Sequence, residues 1–191
     1  MPGTEGGNAC ANLIFGNAVP SGKLTMTFPR NLGQCPIYYN HYMTGRPKRE
    51  EDDCKFVRFT SSYLDIPNSP LYPFGYGLSY SNFKLENVKL SAEEVSAEGI
   101  MVEADITNVG EYDAAQTLQV YVKVEKDGTP NPQLKGLRKV FLKKGETQHI
   151  SLKLGQEVFG LYNEAGELVI AEGNYSIYVG MSQPDTRSEL L

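Results

Sequence analysis

The stretch Gly99–Gly110, "GIMVEADITNVG", alternates without a break. Ile100, Val102, Ala104 and Ile106 fall on one side, and Glu103, Asp105 and Thr107 on the other. A period of two belongs to a β-strand with one face on a core and one face in water. The run closes on Asn108-Val109-Gly110, whose Asn and Gly suit a turn.

The pattern recurs on both sides of this stretch. Toward the C-terminus, "TLQVYVKV" puts Leu118, Val120, Val122 and Val124 on one face. "LRKVFLKKGE" and "HISLKL" follow, joined across Gly145, and "VFGLYNEAGELVI" has the form of a hairpin turning through Asn163 to Gly166. "NYSIYVG" closes the series with Tyr175, Ile177 and Val179, and "FKLENVKL" opens it at Phe83. About seven strands at short spacing predict a mainly β fold, an immunoglobulin- or fibronectin type III-like β-sandwich. No helical period and no internal repeat interrupts it.

Before residue 83 the composition changes. Pro2, Pro20, Pro29, Pro36, Pro47, Pro67, Pro70 and Pro73 precede it, against Pro130, Pro132 and Pro184 after it. Aromatics crowd among Pro and Gly in "CPIYYNHYMTGRP" and "PLYPFGYGLSY". Proline fixes φ and removes a donor, so this region is neither continuous helix nor central strand. It reads as a long aromatic-anchored connection, mobile or docked on the sandwich through "PLYPFGYGLSY". At its head, Thr4 suits an N-cap, Glu5 a first helical turn, and Gly16 a helix stop after the stripe Ala9, Leu13, Ile14. "KLTMTF", Lys23–Phe28, alternates Leu24, Met26 and Phe28 against Lys23, Thr25 and Thr27, as a strand does. Without neighbours such a strand is an open edge.

The 191 residues, 40% of them hydrophobic, suffice for one domain, or one domain and a piece of another. The net charge of −5 is concentrated after Phe83, which argues against a nucleic-acid partner. No apolar run approaches the ~18 residues that span a membrane. Met1 is not followed by a basic-then-apolar leader. Cys10, Cys35 and Cys54 are odd in number and widely spaced, which predicts structural thiols, neither a disulfide framework nor a zinc site, and leans toward a cytoplasmic protein. Asn174-Tyr175-Ser176 is a formal glycosylation sequon of a kind common by chance.

Few residues suggest chemistry. Ser21-Gly22-Lys23 imitates a phosphate loop, but Gly16 stands one residue too far, Leu24 offers no hydroxyl, and the order is helix then strand. His149 falls on a polar strand face, most simply solvated; His41 lies in the aromatic connection, packed or in contact with a ligand. No nucleophile elbow or metal spacing occurs, so no metal and no cofactor are expected. Glu50, Glu51, Asp52 and Asp53 read as a solvated run. Glu5 and Asp65 stand alone, and nothing marks two carboxylates facing one substrate across ~5–9 Å, the glycosidase requirement. Tyr121, Tyr175 and Tyr178 are the aromatics left on strand faces, and the chain has no Trp. That weighs against the alternative of a non-catalytic module binding carbohydrate or protein, alone or in trans.

Taken together, "PGTEGGNA", "PSGKLTMTFPR", "IYYNH" with "TGRP", "PLYPFGYGLSY" and the later "LKGLRKVFLKKGET" resemble one family over almost the whole chain. They are similar to the C-terminal end of a glycoside hydrolase family 3 β-glucosidase of the bacterial three-domain type. The resemblance implies a barrel carrying the aspartate nucleophile, an α/β-sandwich domain carrying the acid/base glutamate in many members, and a terminal fibronectin-like domain. It implies retaining hydrolysis of β-glucosides, or in some members of xylosides or arabinosides. On that basis residues 1–34 would be the last helix and strand of the α/β sandwich, 35–82 a connecting loop, and 83–191 the fibronectin type III-like domain. Met1-Pro2 would then be interior to a longer enzyme. Both family carboxylates lie upstream of "PGTEGG", and Glu5 is neither of them. No catalytic residue is therefore assigned, and the chain alone is expected to hydrolyse nothing. Its partners would be the missing barrel and α/β-sandwich domains, with a β-glucoside or related oligosaccharide as substrate. In the intact enzyme Tyr38, Tyr39, His41 and Arg46 are the candidates for substrate contact on the leaving-group side, or else they clamp domains together.

Overall fold

A computed structural model describes residues 3–49, 52, 55–126, 128–170 and 172–184. From Phe83 onward it is built of strands: β1 (Phe83–Leu90), β2 (Ile100–Asn108), β3 (Ala114–Val124), β4 (Gln133–Leu142), β5 (Thr147–Leu154), β6 (Gly160–Tyr162), β7 (Leu168–Ile170) and β8 (Tyr175–Gly180). Two three-stranded antiparallel sheets run β1-β2-β5 and β4-β3-β8, with β6-β7 as a separate hairpin. The turn after β4, with Gly145 at φ +76°, carries the chain from one sheet to the other, so β4 and β5 are neighbours in sequence but not in pairing. The hairpin turns through Asn163 and Gly166, whose N–H donates to the Asn163 carbonyl.

The alternation in β2 sets the core. Its inward residues interleave with those of β3 in two clusters. Ile100, Val102, Val120, Val122, Leu154 and Phe159 form one; Ala104, Ile106, Leu118, Val140, Leu142 and Ile150 form the other. Each large side chain so buried stabilises the fold by about 1.5–3 kcal/mol relative to exposure. This is the β-sandwich that the period of two predicts.

One expectation about strand faces holds and one needs correction. His149 is exposed on the polar face, and it is also paired with Asp105 across β2 and β5, its Nδ1 2.7 Å from Asp105 Oδ1. Tyr121 is not on an open face. Gln119 and Tyr121 are 3% and 0% exposed, because a third layer of irregular chain covers the outer side of β3.

That layer comes from the first 82 residues. Helix α1 (Gly6–Ile14) is capped by Glu5 rather than Thr4, and neither side chain closes the cap. Gly16, at φ +74°, stops it as expected. Of the stripe it carries, Leu13 is half-buried, while Ala9 is exposed and Ile14 is 76% exposed. Lys23–Phe28 is not a strand. Phe28 makes one isolated bridge to Tyr72, and Leu24 exchanges backbone bonds with Tyr76 and Gly75. The alternation is present, but among the described residues no sheet flanks it. Cys10 and Cys35 are exposed free thiols, not packed structural ones, and Cys54 lies outside the described residues. No described helix is long and apolar enough to cross a membrane.

Candidate functional site

The segment that carries Tyr38, Tyr39, His41 and Arg46 starts from a buried glutamine. Gln34, 1% exposed, accepts the Arg30 N–H at 2.5 Å and donates to the carbonyls of Pro67 and Ser69 at 3.0 and 3.3 Å. Arg30 Nε also donates to the Ser69 carbonyl at 3.0 Å. The start of the long connection is thereby tied to residues 67–69 before the aromatic run begins.

Tyr39 then turns inward. Its ring stacks on Phe74 with centroids 4.1 Å apart and meets Tyr121 edge-on at 6.3 Å. The Leu134 N–H of β4 points to its hydroxyl, and Gln183 Nε2 donates to its carbonyl at 3.3 Å. Beneath it, Tyr121 donates to Gln119 Oε1 at 2.5 Å, and Gln119 Nε2 donates to the carbonyls of Gly75 and Met181 at 3.0 and 2.9 Å. Burial, followed by the neighbouring Tyr39, pushes the Tyr121 hydroxyl well above the ordinary tyrosine range. Every polar group of this junction that lies against the sheet is paired.

His41 is fastened to the β3–β4 turn. Its Nδ1 lies 2.9 Å from the Tyr42 carbonyl, which can only accept, so Nδ1 carries the hydrogen. Nε2 is then the acceptor for the Asn131 amide at 3.0 Å, and the Asn131 N–H donates to the His41 carbonyl at 3.0 Å. Both ring nitrogens are engaged within the protein. The Arg46 carbonyl accepts the Ser61 N–H at 2.8 Å, which closes the neck of the loop from 46 to 61. Its side chain and that of Tyr38 are exposed. The structure thus separates the four candidates: Tyr39 and His41 are held against the sandwich, while Tyr38 and Arg46 face outward.

Among the described residues, no carboxylate pair is opposed across either of two clefts. The first, of about 860 Å³, runs past Lys23, Tyr76, Gln116, Tyr121 and Tyr178 and has no described acid in its lining. Burial there lowers the Lys23 pKa to about 8. The other, about 620 Å³, holds only the sequence neighbours Glu93 and Glu94. Glu5 is exposed and accepts the Asn8 amide at 2.6 Å, and Asp65 is exposed on the connecting loop. Among the described residues no group of His, Cys, Asp and Glu could hold a metal ion.

Sequence reasoning missed Gln119, Asn131 and Gln183, which tie the loop down. It found "PLYPFGYGLSY" as the docking segment but nothing marked its receptor. A clue was available in β3, where Gln119 and Tyr121 could each bury an apolar body with a polar tip.

Comparison with known proteins places these pieces. Residues 1–80 match the glycosyl hydrolase family 3 C-terminal domain, and residues 116–183 match the fibronectin type III-like domain. The periplasmic beta-glucosidase of Salmonella typhimurium is 40% identical over 94% of this chain, which covers 23% of that protein. A beta-xylosidase of Formosa agariphila is 37% identical over 94% of the chain and 24% of its own length. Among solved structures, the beta-glucosidase from Listeria innocua in complex with glucose superposes with a TM-score of 0.89 at 42% identity, over 96% of this chain and 26% of that one. The chain spans about a quarter of the length of the relatives it matches.

Proposed function

Since the chain carries the C-terminal region of glycosyl hydrolase family 3, we propose that it is the non-catalytic end of a β-glucosidase-type enzyme. In the intact enzyme these residues serve as scaffold. Retaining hydrolysis of a β-glucoside or related oligosaccharide is carried out by two carboxylates outside them. The observation that carries this reading is the junction of Tyr39, Phe74 and Tyr121, which binds the family 3 segment to the sandwich. We divide the chain as 1–34, the end of the α/β-sandwich domain; 35–82, the connecting loop; and 83–191, the fibronectin type III-like domain.

Within the loop the four candidates divide by role. Tyr39 and His41 clamp the loop to β3 and to the β3–β4 turn. Tyr38 and Arg46 offer an aromatic face and a cation to the sugar on the leaving-group side. The test is turnover of p-nitrophenyl β-glucoside. The purified chain gives none; activity above buffer that survives Glu5→Gln and Asp65→Asn overturns the proposal. In an intact enzyme containing these residues, Tyr38→Ala raises KM with the melting temperature unchanged, whereas Tyr39→Ala lowers the melting temperature.

A further inference from the structure

We propose that Lys23 is a covalent attachment site, an amine held in an open cleft where it condenses with the aldehyde of a reducing sugar. The site goes beyond the reading just given and does not depend on it, for it is built from residues of this chain alone.

Leu24 N–H donates to the Tyr76 carbonyl and Gly75 N–H to the Leu24 carbonyl, both at 2.8 Å, so the chain entering Leu24 lies against residues 75–77. Gly77 leaves room there for the lysine stem. A Cβ at Gly77 would collide with the Gly22 carbonyl oxygen and lie 3.0 Å from Lys23 Cδ. Lys23 is half-buried and lines the cleft of about 860 Å³. That size falls in the range of small-molecule clefts, about 300–1,000 Å³. No described acid lines the cleft, and among the described residues the Lys23 ammonium has neither a hydrogen bond nor an ion pair. The titratable groups that share the cleft with it are the phenols of Tyr76, Tyr121 and Tyr178. The charge bonded to its own turn is a second cation, Lys139, whose Nζ donates to Ser21 Oγ at 2.9 Å.

The rest of the lining suits a ligand rich in hydroxyls. Gln116 is 7% exposed, and its Oε1 accepts the Thr117 N–H at 2.9 Å. Among the described residues its Nε2 has no partner, whereas a buried amide is normally paired. A sugar hydroxyl can accept from that amide, and Tyr178 adds an aromatic face. Burial brings the Lys23 amine down to about 8. At pH 7.5 about a quarter of such amines are uncharged, against about one in a thousand ordinary lysines. The uncharged amine is the nucleophile. Its lower basicity returns part of the gain, which leaves an advantage of about 10-fold. The nitrogen attacks C1 of the open-chain aldose to give a carbinolamine. The C1–O bond then breaks, water leaves, and a C=N bond forms. The imine rearranges to a ketoamine as C2 gives up its hydrogen and C1 gains one. C2 is oxidised as C1 is reduced, so no outside oxidant is needed.

The test incubates the purified chain with glucose and maps the adducts by peptide mass spectrometry, each a gain of one hexose less one water. At pH ~7.5 Lys23 should be modified about 10-fold faster than the exposed Lys126 and Lys143. Its rate should rise with pH and be half-maximal near pH 8, the pKa that burial gives it. Equal or slower modification of Lys23 overturns the proposal. So does selective reaction of Lys23 with propanal but not with glucose, which would leave a reactive amine and no sugar site. Gly77→Ala, which crowds the stem, should lower the rate at Lys23 and leave Lys126 and Lys143 unchanged. An unchanged Lys23 rate, in a variant that still melts cooperatively, sinks the idea; where the variant does not fold, the comparison of lysines within the natural chain decides. Turnover enters none of these readings, so the proposed function stands or falls separately.

Discussion

Ser81 Oγ donates to Asn108 Oδ1 at 2.7 Å, and both residues are nearly sealed from solvent. Asn108 sits where β2 ends, and its side chain is fully used. Its amide donates to the carbonyls of Tyr112 and Leu142 at 2.8 and 3.1 Å, and Oδ1 also accepts the Gly110 N–H at 3.1 Å. One residue thereby ties the entry to β1, the β2–β3 loop and the end of β4.

Asn108→Leu should accordingly destabilise the sandwich by about 2–4 kcal/mol, because it leaves several buried donors and acceptors without partners. Ser81→Ala should cost less, about 1 kcal/mol, since Oδ1 keeps the Gly110 N–H. Urea unfolding of the two variants checks the order. Equal effects would mean that Asn108 does not act as the hub.

Gly75 cannot be replaced by alanine without loss. Its φ is +77°, and a Cβ there would lie 2.2 Å from Gln119 Oε1 and 2.8 Å from the Tyr121 hydroxyl. Gly75→Ala should loosen the docked segment. We expect faster protease cleavage between residues 35 and 82, with the β-sandwich melting transition little changed. Retained protection would show that the junction tolerates the side chain.

Tyr121→Phe leaves Gln119 Oε1 without its donor and should cost about 1–2 kcal/mol at neutral pH. Its effect should also depend on pH. The folded-state hydroxyl pKa is raised by burial, above an unfolded value near 10. Its stabilisation is thus whole below pH ~10 and declines above it, by at most about 1.4 kcal/mol per pH unit. Wild type and Tyr121→Phe should therefore converge in stability between pH ~10 and ~12. Parallel curves would refute the buried hydroxyl.

Asp105 titrates below the ordinary aspartate range, first because the Asn87 amide donates to it and second because His149 does. The carboxylate's contribution is present above the unfolded pKa and lost as pH falls through the folded one. Asn87→Ala and His149→Ala should each raise the Asp105 midpoint, the former more, read by carboxyl carbon NMR. If neither moves it, the exposed cluster is not formed in solution.

The sandwich was legible because its strands are half-buried, and half-burial writes a period of two. Ile100 to Ile106 carry that period on the page and in the fold. β3 carries it too, but there it misleads: Val120 and Tyr121 are both at 0% exposure. What packs on Tyr121 is Tyr39, itself stacked on Phe74, and their distance along the chain leaves no local trace in β3. Lys23–Phe28 fails in the opposite way. Its alternation is written for a sheet, and among the described residues only the ribbon through Tyr72 and Tyr76 meets it. Of the candidate site, the aromatic loop was found from its Pro and Tyr content. The fate of each side chain was not, because the partners of Tyr39 and His41 sit on turns and strand faces with no composition of their own.

The aromatic junction has a consequence for synthesis. A ribosome releases Tyr39 and Phe74 before Tyr121, and Gln183 last of all. At ~5–20 residues per second, the loop waits seconds for its seat to exist. During that interval its rings are unsatisfied, and a holdase chaperone is the natural cover.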